Sequence, residues 1–348
     1  MKKNNYQLID LAKLFFAICV IGIHTQFLSE YKIGYYINTN IYRLAVPFFF
    51  ICNGYFLAKN NDTSQGNNRN RLIKIIKKYI FWCLLYTLIY NIFVVWDFNY
   101  SNLIQDIIHV FTLTSTNIMW YLGVLLVFTL LICYIKDDRK LKIIFYISII
   151  GYLVGLSFTT YKYVFVGTNY EIFINFLDKL FTSNRYFLFT IMYPFIGYFM
   201  YKCNFFNKLT NFKLLLILIT SQVLLLIETG LFYNYSLLYN EYDYFIFTPI
   251  VVVFLFSLLS RLNVKLKINS LRFRNLSKYL FFYHYIFIYL FHFLDRISYS
   301  QIYGTNSIIS WIREKSFRMF VYVLLSTLVL SLFLSKRKKV VKRSGFNG

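Results

Sequence analysis

The sequence predicts an all-α, polytopic integral membrane protein with about ten transmembrane helices and both termini cytoplasmic, and three observations predict it. Hydrophobic residues make up 58% of the 348 and charged residues only 15%, with a mean hydropathy of +0.54, a balance foreign to soluble globular chains. Apolar stretches of bilayer-spanning length recur from end to end. The 37 Lys and Arg are sorted between alternate connections: 27 on one side, 8 on the other, with Lys13 and Arg43 inside helices. That asymmetry is the positive-inside pattern, and both ends of the chain fall on the basic side.

Helices are expected at 8–28, 40–58, 75–96, 117–135, 142–158, 186–201, 212–231, 243–260, 277–294 and 317–334. The first, LIDLAKLFFAICVIGIHTQFL, carries Lys13 and His24 in an apolar run. Eleven residues at about 100° each bring the two within about 20° of eclipsed and about 16 Å apart along the axis. A cation and an imidazole therefore share one seam, and such groups face a polar cavity rather than lipid. Asp10, three residues before Lys13, is placed to pair with it.

The second helix enters from the opposite side near Asn40, so Arg43 reaches the same outer depth as His24, about 24 Å into a core of about 30 Å. Pro47 cannot donate to the carbonyl of Arg43, which frees that oxygen for another partner. The third helix opens with RLIKIIKKYIFW. Arg71, Lys74 and Lys78 are spaced three and four apart, a face suited either to a phosphate-rich ligand at the cytoplasmic mouth or to topological anchoring. Glu228, in LLLIETGLFY, is the clearest acid within a span and again lies outward.

The connections are too short for a soluble domain, so residues 1–348 read as one membrane domain. No fixed-period repeat or matched pair of broken helices is visible. Segment 102–113 is amphipathic and fits the outer interface, with His109 solvated. Lys2 and Lys3 precede an apolar run without a small-residue cleavage pattern, so that segment is expected to remain uncleaved.

The net charge of +23 sits in short inner loops beside anionic lipid, so no nucleic-acid partner is expected. Cys19, Cys52, Cys83, Cys133 and Cys203 show no paired spacing, so neither a disulfide framework nor a metal site is indicated. Abundant Asn, Lys, Ile, Phe and Tyr with three Pro fits a low-GC bacterium.

His24, Arg43 and Glu228 thus converge on one depth. A His beside a carboxylate is the ordinary arrangement of a general base. Each also has a plainer role: His24 in helix-to-helix hydrogen bonding, Arg43 as an anchor, and Glu228 as its ion-pair partner.

At these residues the chain resembles the acyltransferase 3 family of bacterial integral-membrane acyltransferases, in the branch that includes the membrane domains of vancomycin-resistance serine racemases. The likeness rests on Lys13, ten intervening residues and His24; on RLAVPFFFICNGYFL from Arg43 to Leu57; and on Arg71 and Lys74 in place of an Arg-x-x-Arg pair. It also rests on MWYLGVLL around Trp120, the stretch from Glu228 to Asp243 with DYFIFTP, and SKYLFFYHYIF around His284. Arg is commoner than Lys at the position of Lys13, and Ser at that of Asn53.

The resemblance implies a cytoplasmic acyl-CoA donor, typically acetyl-CoA. Its acyl group would pass to a hydroxyl of a cell-envelope glycan or lipid-linked acceptor at the bacterial cell membrane. His24 would then be the catalytic histidine, with Lys13, Arg71 and Lys74 holding the donor's phosphates or pantetheine arm. Arg43 and Glu228 would polarise the acceptor or stabilise an oxyanion. Lys neutralises phosphate but lacks the bidentate fork, so the two departures bear on donor affinity more than on reaction type. The rival readings are a transporter or flippase using the same polar residues as a path, and a non-catalytic membrane partner.

Overall fold

The computed structural model describes residues 6–29, 31–62, 68–95, 119–181, 185–204, 209–234, 244–262, 264, 270–299 and 315–344. The 102–113 segment with His109, together with Lys2, Lys3 and Asp243, lies outside the described residues. In chain order the helices are α1 (Gln7–His24), α2 (Lys32–Asn40), α3 (Ala45–Asp62), α4 (Asn68–Tyr90), α5 (Trp120–Tyr134), α6 (Asp138–Phe158) and α7 (Glu171–Phe181). They continue with α8 (Arg185–Thr190), α9 (Met192–Lys202), α10 (Asn211–Leu231), α11 (Thr248–Arg261), α12 (Ser270–Tyr299) and α13 (Lys315–Ser344).

Every segment expected to be helical contains helix, and no strand occurs among the described residues. Five stretches are long and apolar enough to cross a membrane: Gln7–His24, Lys32–Asp62, Asp138–Phe158, Asn211–Leu231 and Lys315–Ser335. The chain is an all-helical membrane protein.

Two expected helices are broken, and proline explains both breaks. The 40–58 helix is divided: α2 ends at Asn40, a 3-10 turn occupies Tyr42–Leu44, and α3 begins at Ala45. Arg43 therefore sits in a tight turn rather than in a continuous α-helix. The 186–201 helix is divided at Ile191 into α8 and α9. In each case a proline, Pro47 or Pro194, stands four residues after the interrupted carbonyl and cannot donate to it. Within the first turn of α3, α9 and α11, Pro47, Pro194 and Pro249 replace amides that have no intrahelical acceptor anyway. The carbonyl of Phe245, four before Pro249, instead accepts the Tyr152 hydroxyl at 2.7 Å.

The chain forms two compact units, interleaved in sequence. The first comprises Met1–Ala45, Leu88–Phe98 and Leu259–Gly348. In it α1 packs along α12, and α12 along α13. Ile9, Phe16, Ala17, Val20 and Ile21 of α1 are buried, and Phe27 meets Phe320 at 4.3 Å between ring centres. The α1–α12 contact carries an ion pair between a buried carboxylate and an exposed guanidinium. Asp10 is 2% exposed, and its two oxygens accept from Arg274 Nε at 3.0 Å and Nη2 at 2.7 Å. This bidentate partner from α12 replaces the Asp10–Lys13 pairing expected from helix spacing. Arg274→Leu would leave a buried carboxylate without its counter-ion. The expected cost is about 1–3 kcal/mol, read as a lower melting temperature in detergent, with Asp10→Asn in the same background restoring much of it.

The second unit comprises Val46–Thr87 and Asn99–Leu258. Its centre is aromatic: Phe189 stacks on Tyr244 at 3.9 Å, and Phe128 meets Phe195 edge-on at 5.0 Å. Helices α3 and α9 cross almost backbone to backbone. A Cβ added at Gly54 would lie 1.9 Å from the Pro194 carbonyl oxygen, and one at Gly197 would lie 2.1 Å from that of Ile51. Small residues at such crossings let helices gain dispersion contacts where lipid offers no hydrophobic drive.

Candidate active site

His24 is the last residue of α1, which stops four residues before the expected end because Gln26 and Leu28 adopt left-handed φ of 51° and 58°. Local bonds hold the reversal: the Thr25 amide donates to Ile21 O at 2.9 Å and the Phe27 amide to Gly22 O at 3.0 Å. The imidazole is half-buried and lies against α12. Its Nδ1 is 3.3 Å from the Tyr285 hydroxyl, the two rings meet edge to face at 4.8 Å, and the His284 ring stacks on it at 5.5 Å and 27°.

Arg43, in the turn beside α1, places its positive charge within electrostatic reach of His24. Lys13 is half-buried on α1. The first unit thus brings His24 and Arg43 together, and the ring neighbours it gives His24 are aromatic: His284 and Tyr285.

Arg71, Lys74 and Glu228 belong to the second unit. Arg71, in the first turn of α4, lines a cavity of about 240 Å³ between α3, α4 and α5. Asn53, Asn60 and Thr129 give it polar walls, and Phe56, Leu125 and Phe128 apolar ones. Arg71 Nη1 is buried with no hydrogen-bond acceptor among the described residues. Asn53 is fixed by donating to Phe49 O at 2.8 Å and to the Tyr121 hydroxyl at 2.7 Å. Lys74, exposed, does not line this cavity; Ile75 takes the place one turn from Arg71.

Glu228 is 6% exposed, and its carboxylate is held by three donors. The Tyr161 hydroxyl donates to it, as do the amides of Ile246 at 2.7 Å and Phe247 at 3.1 Å. Those amides immediately precede α11, where unsatisfied N–H groups and the helix dipole favour an anion. Glu228→Leu would orphan them, at an expected cost of about 1–3 kcal/mol, visible as faster amide exchange at 246–248. Glu228→Gln would recover part of the loss.

Sequence reasoning missed Tyr285 and Tyr161 and left His284 undecided. The signal for the first was present in YHYIF, where a second ring accompanies the histidine. Tyr161 lies in a connection with no periodicity to mark it.

A family model described as an acyltransferase domain matches residues 6–336. A serine/alanine racemase of Enterococcus gallinarum is 27% identical over 263 residues, covering 73% of this chain and 37% of that protein. Two amino-acid racemases of Enterococcus faecalis are 29% and 26% identical over 208 and 282 residues, covering 57% and 75% of this chain and 28% and 38% of those proteins. The matches thus span under two fifths of these relatives' length. No solved structure matches the chain. By a match that runs through nearly all of its helices, the chain belongs to the acyltransferase 3 family, in the branch shared with these enterococcal proteins.

Proposed function

We propose that this membrane protein transfers an acyl group, acetyl in the simplest case, from cytoplasmic acyl-CoA to a hydroxyl of an envelope glycan or lipid-linked acceptor at the bacterial plasma membrane. The family supports acyl transfer as the reaction class. The observation that carries the donor assignment is Arg71: a buried guanidinium nitrogen without an acceptor among the described residues, in a cavity of about 240 Å³, calls for an oxygen-rich ligand. A donor phosphate or pantetheine carbonyl meets that demand; donor-binding roles for Lys13 and Lys74 rest on the family resemblance alone.

His24 then removes the acceptor's hydroxyl proton. The new C–O bond forms as the thioester C–S bond breaks, and the proton is returned to the leaving thiolate to give free CoA. Arg43 supplies positive charge where the oxyanion develops. An acyl-imidazole on His24 is the stepwise variant of the same exchange. Glu228 holds the start of α11.

The test is purified protein in sealed vesicles given radiolabelled acetyl-CoA and envelope extract. Label in the acceptor fraction is expected; substrate movement without any label transfer would favour the transporter reading. Arg71→Ala should weaken acetyl-CoA binding about tenfold, the scale of one charge-assisted bond of about 1.5 kcal/mol, as measured by filter binding.

A further inference from the structure

His284 is fully buried on α12, at 0% exposure, and its ring lies against that of His24. Its Nδ1 is 3.0 Å from the Leu280 carbonyl oxygen. A carbonyl only accepts, so Nδ1 carries the ring hydrogen, and in the neutral ring Nε2 is then a bare lone pair. That nitrogen is buried and has no hydrogen-bond partner among the described residues. An unmet acceptor in such a place costs about 1–3 kcal/mol. A hydrophobic side chain of similar size would avoid the cost if packing were the only requirement.

Resting on the acyl-transfer reading above, we propose that His284 Nε2 is a positioning site for the acyl acceptor, receiving a second O–H or N–H beside the hydroxyl that reacts at His24. The stack holds the two imidazoles 5.5 Å apart between ring centres, a separation suited to a polyol or sugar with neighbouring hydroxyls. One hydroxyl loses its proton to His24, and its oxygen forms the ester. The other keeps its proton and bonds to His284, which exchanges nothing. The Tyr285 hydroxyl on His24 Nδ1 fixes the angle of the reacting imidazole. The site thereby selects acceptors by a second donor, because an alcohol lacking it leaves the His284 lone pair unmet.

The experiment compares wild type, His284→Leu and His284→Gln in the vesicle assay, with acetyl-CoA binding measured in parallel. Gln restores an oxygen acceptor near the place of Nε2, whereas Leu only fills the space. Transfer by His284→Leu should fall at least tenfold, with KM for the acceptor raised, while acetyl-CoA binding is unchanged and His284→Gln recovers most of the rate.

Full transfer by His284→Leu would overturn the proposal, as would a Gln variant no better than Leu. Weakened acetyl-CoA binding in His284→Leu would assign the lone pair to the donor's amide instead and would also overturn it. Nitrogen NMR of histidine-labelled protein supplies an arm independent of turnover: the Nδ1–H tautomer is expected at His284, and a proton on Nε2 would overturn the proposal whatever the rates. A wild-type protein that moves no label fails the acyl-transfer reading itself, and the acceptor role falls with it. An inert His284 in an active protein fails this inference alone.

Discussion

Replacing His24 with alanine should abolish net acyl transfer, lowering the rate by about 10²- to 10⁴-fold, the contribution of a positioned general base, while acetyl-CoA still binds. The separation is expected because His24 does not line the cavity that holds Arg71. His24→Asn, which keeps a hydrogen-bonding group near the place of Nδ1 toward Tyr285 but cannot accept a proton, should be nearly as inactive. If His24 is only a helix-to-helix hydrogen-bonding group, Asn should instead rescue activity. Single-turnover kinetics in vesicles decides between the two outcomes. Acid quenching at short times shows whether label passes through the protein, which distinguishes the acyl-imidazole variant from direct transfer.

The largest effect on folding is expected at the α3–α9 crossing. Gly197→Leu places a Cβ about where the Ile51 carbonyl oxygen already lies, and no rotamer relieves a clash with backbone. The helices must separate, forfeiting dispersion contacts along their length. Overpacking costs about 1–3 kcal/mol and occasionally more; a clash with backbone on both sides of the contact belongs at the upper end, so little folded protein should survive extraction. Gly54→Leu should behave alike. Gly167→Ala is the control: its φ of 76° strains an alanine, but nothing lies within 4 Å of the added carbon, so the expected cost is only about 1–2 kcal/mol. Size-exclusion profiles and thermal melts in detergent measure all three.

The helices were legible in the sequence because bilayer-length apolar runs and alternating basic connections are local signals. His24 stood out because an ionisable group in such a run needs a reason to be there. The breaks at Arg43 and Ile191 were less legible: Pro47 was recognised as freeing a carbonyl, but whether a helix kinks or is interrupted depends on what packs against the gap. Pairings between distant residues left no trace. Asp10 has Lys13 within one helical turn, and only the tertiary fold brings Arg274, 264 residues away, onto its carboxylate. Glu228 was readable as a buried acid, whereas its donors at Tyr161, Ile246 and Phe247 come from segments whose composition carries no mark of that role. His284 could not be ranked from sequence because its significance is relational: it lies in which nitrogen is occupied and which ring it touches.

The Asp10–Arg274 pair and the His24–His284 stack fasten the same two helices at two levels, about 21 Å apart along α1 and about 15 Å along α12 at 1.5 Å per residue. Sliding α12 by one turn, about 5.4 Å, would strand the carboxylate and unstack the imidazoles together, so the helix pair behaves as a keyed shaft with one permitted setting. Loss of either contact is therefore expected to loosen the other, so Arg274→Leu should also disturb the stack of His24 on His284.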